Sequence, residues 1–268
     1  MKDSMDFAAY QCIDFRRDGR ILTIVLNRPD QRNAVNARLH HELSRVFTDA
    51  QRDPESDVVV LTGNGSAFCA GGDIDWMQLS IDDPAEFERT AREAKDIVYT
   101  QLDLEKPLIC RLNGHATGLG ASLALLCDIV IASDEAKIGD PHVSVGLVAG
   151  DGGALIWPQL VGYAKAKKYL LTGELMRAAE AERIGLITDV VPRAELDAAT
   201  VAMAQRLVTG ATKAIRWSKV TTNLPLRQLF HSYFDAGVAY ECLSNLTADH
   251  AEAVRAFRER RKPVFTGR

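Results

Sequence analysis

Two stretches of this chain have the composition of loops that offer backbone N–H groups to a ligand. One is Ser66-Ala-Phe-Cys-Ala-Gly-Gly-Asp73, in which Gly71 and Gly72 are adjacent; the other is Asn113-Gly-His-Ala-Thr-Gly-Leu-Gly120. Glycine lets the backbone approach a ligand closely and adopt torsions that other residues avoid. A helical pattern opens near Gly118, and the free N–H groups and positive dipole end of a helix start suit an anion. The chemistry on offer is the holding of an anionic group by backbone N–H donors. Each stretch taken alone is equally well read as an ordinary tight turn.

Both loops follow apolar strand-like runs, Asp57–Gly63 and Pro107–Leu112. Further strands are expected at Ile21–Leu26 and Asp128–Ala132. Apolar residues at three- and four-residue steps place a helix after Asn36, a second from Asp83-Pro84 to about Leu102, and a third over Gly118–Leu126. Strands alternating with helices over residues 20–140 imply crossover units and a mainly parallel sheet, with both loops at the strands' C-terminal edge. Beyond Gly152 the pattern is mostly helical. A short helix is expected at Ala178–Ile184 and a strand at Ile187–Val191. Helical patterns follow at Arg193–Val208, Ala211–Thr221, Pro225–Leu243 and Ala248–Arg260. The fold class is α/β, divided into a core over 11–200 and a C-terminal helical region over 201–268 that packs on the core or on a neighbouring subunit.

The chain has 268 residues, 47% hydrophobic and 25% charged, with a formal net charge of −4. That composition describes a globular protein and excludes collagen-like or disordered chains. The sign is wrong for a general nucleic-acid binder, although Arg258, Arg260, Arg261 and Lys262 form a local basic patch. Five widely spaced cysteines without a CxxC argue against a disulfide framework or a metal site and for free thiols in a reducing cytoplasm. Met1–Tyr10 lacks the apolar core of a signal peptide, and Leu119–Ala132 is too short to span a bilayer.

Three segments together resemble the crotonase (enoyl-CoA hydratase/isomerase) superfamily: Asn27-Arg-Pro-Asp-Gln-Arg-Asn-Ala-Val-Asn36, Phe68-Cys-Ala-Gly-Gly-Asp73, and Asn113 to Asp128. Leu170-Leu-Thr-Gly173 with Ala178–Gly185, and Phe257-Arg-Glu-Arg-Arg-Lys262, are similar to the family too. The resemblance covers about residues 15–265 in order. It implies a spiral of ββα units, a helical trimerisation region, and trimers or dimers of trimers. It implies an acyl-CoA thioester substrate, so coenzyme A enters with the substrate and no prosthetic group or metal is expected. By position the oxyanion donors are the N–H groups of Gly72 and Leu119. Such donors contribute roughly 3–4 kcal/mol each in related chemistry. Arg28, Ala70, Asp73 and Ile74 match coenzyme A-binding segments. Lys262 matches a basic residue that reaches a neighbour's coenzyme A phosphates, or is a solvated tail charge.

The chain departs from the family where a hydratase places its two glutamates: Ser122 and His142 stand there. Asp151 follows His142 by nine residues, flanked by glycines. The family's loop brings these two positions together, and a histidine beside a carboxylate is a general base suited to neutral pH. Otherwise Asp151 is a helix N-cap and His142 a structural residue. The His…Asp pair, with Glu241 on a later helix, also resembles a branch that hydrolyses cyclic β-diketones. Asp140 is read as a turn cap. His40, His41, His231 and His250 are read as surface or packing residues, and His115 as a structural or pocket residue. Ser122 lacks an assigned base and is read as a hydrogen-bonding group. The leading expectation is water chemistry on an acyl-CoA with a His142 base. The alternatives are C–C hydrolysis of a cyclic β-diketone and a non-catalytic protein that binds coenzyme A or RNA.

Overall fold

The computed structural model describes residues 7–268; of the N-terminal stretch considered above, Met1–Asp6 lies outside the described residues. A six-stranded sheet forms the centre, in the order β1 (Ile13–Asp18), β2 (Ile21–Leu26), β3 (Val58–Gly63), β4 (Leu108–Leu112), β6 (Ile129–Ser133) and β9 (Asp189–Val191). Only β1 pairs antiparallel, and the other four pairings are parallel. A small second sheet joins β5 (Ala116–Thr117), β7 (Lys137–Gly139) and β8 (Met176–Arg177).

β3 is buried along its whole length, as expected of an interior parallel strand covered on both faces. One face packs on α1 (Ala37–Arg52), α3 (Pro84–Asp103) and α4 (Leu119–Leu125), with Leu39, Leu43, Phe47, Ile97 and Leu123 in the main core. Ile21, Val58, Val60, Ile109 and Ile131 face the other way, against Leu196 and Ala204 of α7 (Leu196–Val208). Asn36 caps α1 by accepting from the Leu39 N–H at 2.9 Å, so the helix begins where the sequence pattern places it.

The structure adds β1, whose alternation is obscured by charge, joined to β2 through Gly19-Arg20 with Gly19 at φ +54°. It also adds α2 (Ile74–Asp82) and α5 (Gly153–Thr172), which is broken by a kink at Gly162, where φ is +73°. The two helices expected at 211–221 and 225–243 are one, α8 (Thr212–Asn245), running through Pro225. Proline removes one N–H and crowds the preceding turn. Here Thr221, Thr222 and Pro225 are exposed, so the released carbonyl meets water, and buried Phe230, Phe234 and Val238 secure the helix beyond it. α8 packs on α3 and α5, and α9 (Ala248–Arg258) packs on α2 and on the short turn His142–Val145. No helix among the described residues is long and apolar enough to cross a membrane.

Candidate active site

The two glycine loops meet. Val35 donates to the Gly71 carbonyl at 2.7 Å and Asp73 donates to the Val35 carbonyl at 2.9 Å, which pins the first loop against the start of α1. Thr117 donates to the Cys69 carbonyl at 3.0 Å, and Gly118 to the Gly139 carbonyl at 3.2 Å, which pins the second loop beside it. Gly71 (φ +80°) and Gly118 (φ +55°) take torsions that side chains disfavour, and a Cβ on Gly118 would sit 3.9 Å from the Gly71 Cα. The N–H groups of Gly72 and Leu119 find no acceptor among the described residues, and both residues line one cavity of about 80 Å³.

His142, Asp151 and Glu241 line that same cavity. Asp140, at the end of β7, accepts a hydrogen bond from His142 Nδ1. His142 Nε2 lies 3.5 Å from an Asp151 carboxylate oxygen, and the other Asp151 oxygen accepts from the Ser122 hydroxyl at 3.0 Å. Asp140, Ser122, Asp151 and His142 are all buried. Glycines make the approach possible. A Cβ on Gly153 would fall 2.0 Å from an Asp140 oxygen, and one on Gly150 would fall 2.3 Å from the Gly237 carbonyl and 2.8 Å from a Glu241 oxygen.

The charges decide the protonation. Burial by itself would strip the proton from His142, but Asp140 and Asp151 outweigh it, with Glu241 behind them, and hold the imidazole well above its usual value. Burial pushes Asp151 up, opposed by the pull of His142 and the hydrogen bonds from Ser122 and the Gly153 N–H, and reinforced by the repulsion of Asp140. Burial also pushes Glu241 up, to about 8, opposed by His142 and reinforced by the two aspartates. The cluster therefore favours the charged imidazole of His142, and Glu241, raised to about 8, keeps its proton at neutral pH.

The pairing of His142 with Asp151 follows the sequence reading. Asp140 does not merely cap a turn: its side chain orients the imidazole. The one cue was its place two residues before the histidine. Asp151 precedes the α5 N-cap, Gly152, and reaches Gly153 N–H at only 3.4 Å, so capping is a secondary task. Of the histidines read as surface or packing residues, His40 and His250 are buried, and both also line the cavity.

A groove of about 500 Å³ leads outward from His142 and Gly118, lined by Ala70, Asp73 and Ile74 among others. Arg28 is not on its wall; it is paired with Asp73 at 3.0 Å, steadying the carboxylate that caps α2. The cation that does line the groove is Arg32, four residues on, which sequence reasoning missed. Lys262 is exposed and stands outside the groove of its own chain. Asp140, His142 and Asp151 have ligand atoms within 4.8 Å of one another, close enough to hold a metal ion, but both imidazole nitrogens already face carboxylates, an arrangement suited to moving protons.

The family model for enoyl-CoA hydratase/isomerase matches residues 16–268. The chain belongs to the enoyl-CoA hydratase/isomerase family. It is 35% identical to a probable enoyl-CoA hydratase of Mycobacterium bovis over 97% of this chain and 99% of that protein. The fold is the crotonase fold: an enoyl-CoA hydratase/isomerase from Mycobacterium paratuberculosis superposes with a TM-score of 0.89 at 35% identity, covering 92% of this chain and 99% of the other. A β-diketone hydrolase from the cyanobacterium Anabaena, bound to (S)-3-oxocyclohexyl acetic acid, is also similar, with a TM-score of 0.82 and 28% identity over 90% of this chain and 96% of that one. This is thus an enzyme of the enoyl-CoA hydratase/isomerase family.

Proposed function

We propose that this enzyme adds water to an α,β-unsaturated acyl-CoA. The supporting observation is that the unclaimed N–H groups of Gly72 and Leu119 share a cavity with His142, Asp151 and Glu241. The thioester oxygen is held by the two N–H groups, which stabilise the enolate as it forms. Water adds through its oxygen to the β-carbon, and its proton goes to the His142–Asp151 pair. Asp140 and Asp151 favour the charged form of His142, so the accepting atom in this proposal is an Asp151 carboxylate oxygen, 3.5 Å from His142 Nε2, in place of the imidazole itself. Glu241, protonated at neutral pH, gives a proton to the α-carbon, and His142 returns one to Glu241 by way of the cluster. Ala70, Asp73 and Ile74 line the path of the pantetheine arm, with Arg32 beside the phosphates and Arg28 acting through Asp73.

Crotonyl-CoA is the first probe. The expected product is one water heavier, and His142→Ala, still folded by circular dichroism, loses at least about 100-fold in kcat. Full turnover by that variant sinks the acid–base assignment. A second reading draws on the same cluster and on the likeness to the β-diketone hydrolase: attack of water on a ring carbonyl, breaking a C–C bond. Mass spectrometry separates the two, since a ring-opened acid from a cyclic β-diketone supports the second reading and inert diketones remove it.

The enzyme would work as a homotrimer or a dimer of trimers, with residues 201–268 as the oligomerisation region. Trp217, Leu224, Tyr233, Tyr240, Leu243 and Leu246 of the C-terminal region leave large apolar side chains exposed on a single chain, which supports this assembly. Lys262 would then serve a neighbour's coenzyme A phosphates. A monomeric mass by light scattering would overturn the proposal.

A further inference from the structure

Beyond the groups assigned to the reacting carbons, the cavity carries two more imidazoles. His250 is fully buried, and its Nδ1 lies 2.6 Å from the Val145 carbonyl. A carbonyl only accepts, so Nδ1 bears the hydrogen. Burial, the Val145 hydrogen bond notwithstanding, lowers the proton affinity of His250, and the nearby His142 charge lowers it further. The ring is therefore neutral, and its Nε2 is a bare acceptor. That nitrogen is buried and has no hydrogen-bond partner. The position is built: Thr247 caps α9 by accepting from the His250 backbone N–H at 3.2 Å, and Gly146 lets the turn after His142 lie where a Cβ would fall 2.9 Å from the His250 backbone nitrogen. His40, also buried, gives its Nδ1 to Glu93 at 2.8 Å and packs its ring 5.0 Å from that of Trp76. Ser80 and Asn245 add polar surface to the same cavity, with the Asn245 amide tied to the Ser80 carbonyl at 3.0 Å.

An unpaired buried acceptor is expensive to maintain, and a hydrocarbon chain laid against it would keep it unpaired. Sites built around such a group reject the analogue that lacks the matching donor. We infer that the acyl group taken by this cavity is short and carries a hydroxyl beyond its β-carbon, whose O–H is accepted by His250 Nε2. The small cavity limits chain length, and the α- and β-carbons are already served by Asp151 and Glu241. The inference rests on the acyl-CoA reading and makes His250 a specificity-determining residue.

The test is calorimetric binding of 4-hydroxybutyryl-CoA against pentanoyl-CoA, which match in chain length and carry no double bond to hydrate. The wild-type enzyme should bind the hydroxy compound at least about tenfold more tightly. His250→Phe should bring the two within about twofold of each other, and His250→Gln, which keeps an acceptor, should retain part of the preference. Equal affinities in the wild type overturn the inference without any variant. So does a preference that survives in folded His250→Phe, and so does equal binding with a kcat loss confined to crotonyl-CoA, which would make His250 a water-holding residue instead. If neither thioester nor free coenzyme A binds, the acyl-CoA reading itself falls, and this inference with it.

Discussion

The cavity has two unlike walls. The wall around Gly72 and Leu119 is main chain: its donors are amides, fixed by backbone hydrogen bonds that run between the two loops and the start of α1. The wall around His142 is side chain, gathered from the end of β7, the turn at 142–145, the Gly150–Gly153 loop and α8. Backbone donors cannot change identity by substitution, so that wall tolerates drift at most positions provided the glycines stay. Side-chain groups can be exchanged one at a time. That is where Ser122 and His142 stand, and where the proposed hydration would be decided.

The comparison can be broken hardest at Asp140. Asp140→Asn keeps the shape but removes the charge that orients and charges His142. Loss of an orienting carboxylate behind a catalytic histidine costs up to about 10⁴ in kcat in a well-studied hydrolase, and about 10³ is expected here. Steady-state kinetics would show it, together with a downward move of the histidine titration followed by NMR, since the Asp140 charge raises it. If kcat stays within threefold, Asp140 belongs to the scaffold.

Gly118→Ala tests where the two walls touch. Its Cβ would lie 3.3 Å from His142 Cε1, and its φ of +55° strains any side chain. About 10²-fold in kcat should be lost, with roughly 1–3 kcal/mol of stability in a urea melt. A loss of stability with unchanged kcat would show that the walls act separately.

The protonated state of Glu241 predicts a pH limb. Its carboxyl is raised to about 8 and must hold its proton to act, so kcat/KM should fall tenfold per unit as pH rises above about 8. Glu241→Gln should lower the plateau and abolish that limb. A limb that persists in the variant belongs to another group.

These walls differ in how far the sequence discloses them. The main-chain wall is legible because local geometry demands particular residues: Gly71 and Gly118 stand where φ is positive, and Asn36 stands where a cap is needed. The Asp151 partnership is legible only through resemblance. Asp140, His40 and His250 are obscure for a different reason. A histidine in an amphipathic pattern looks the same whether its face meets water or a cavity, and only the docking of α1 and α9 decides. Arg28 and Arg32 lie on one loop, and only the folded loop, with Arg28 tied to Asp73, shows that Arg32 is the one lining the groove. The single helix across Pro225 could not be read locally, because what sustains it is the distant packing of Phe230 and Phe234 on the core.

The smallest effect is expected at Ser122, which sits on the helix of the main-chain wall but points its hydroxyl at the other. It is fully buried and gives its hydrogen to Asp151 at 3.0 Å. A donor to a carboxylate favours the ionised form, so this bond holds Asp151 lower than burial alone would. Ser122→Ala should raise Asp151 further. Since Asp151 must be ionised to accept the proton of water, the acid limb of kcat/KM should move to higher pH, with only a three- to tenfold loss on the plateau. Removing one partner of a buried hydrogen bond costs about 1–3 kcal/mol, so the melting temperature should fall as well. A fall in stability without any movement of the acid limb would reduce Ser122 to packing. A moved limb with an unchanged plateau would show that the main-chain wall also sets the proton affinity of the side-chain wall, through the one residue of α4 that reaches across.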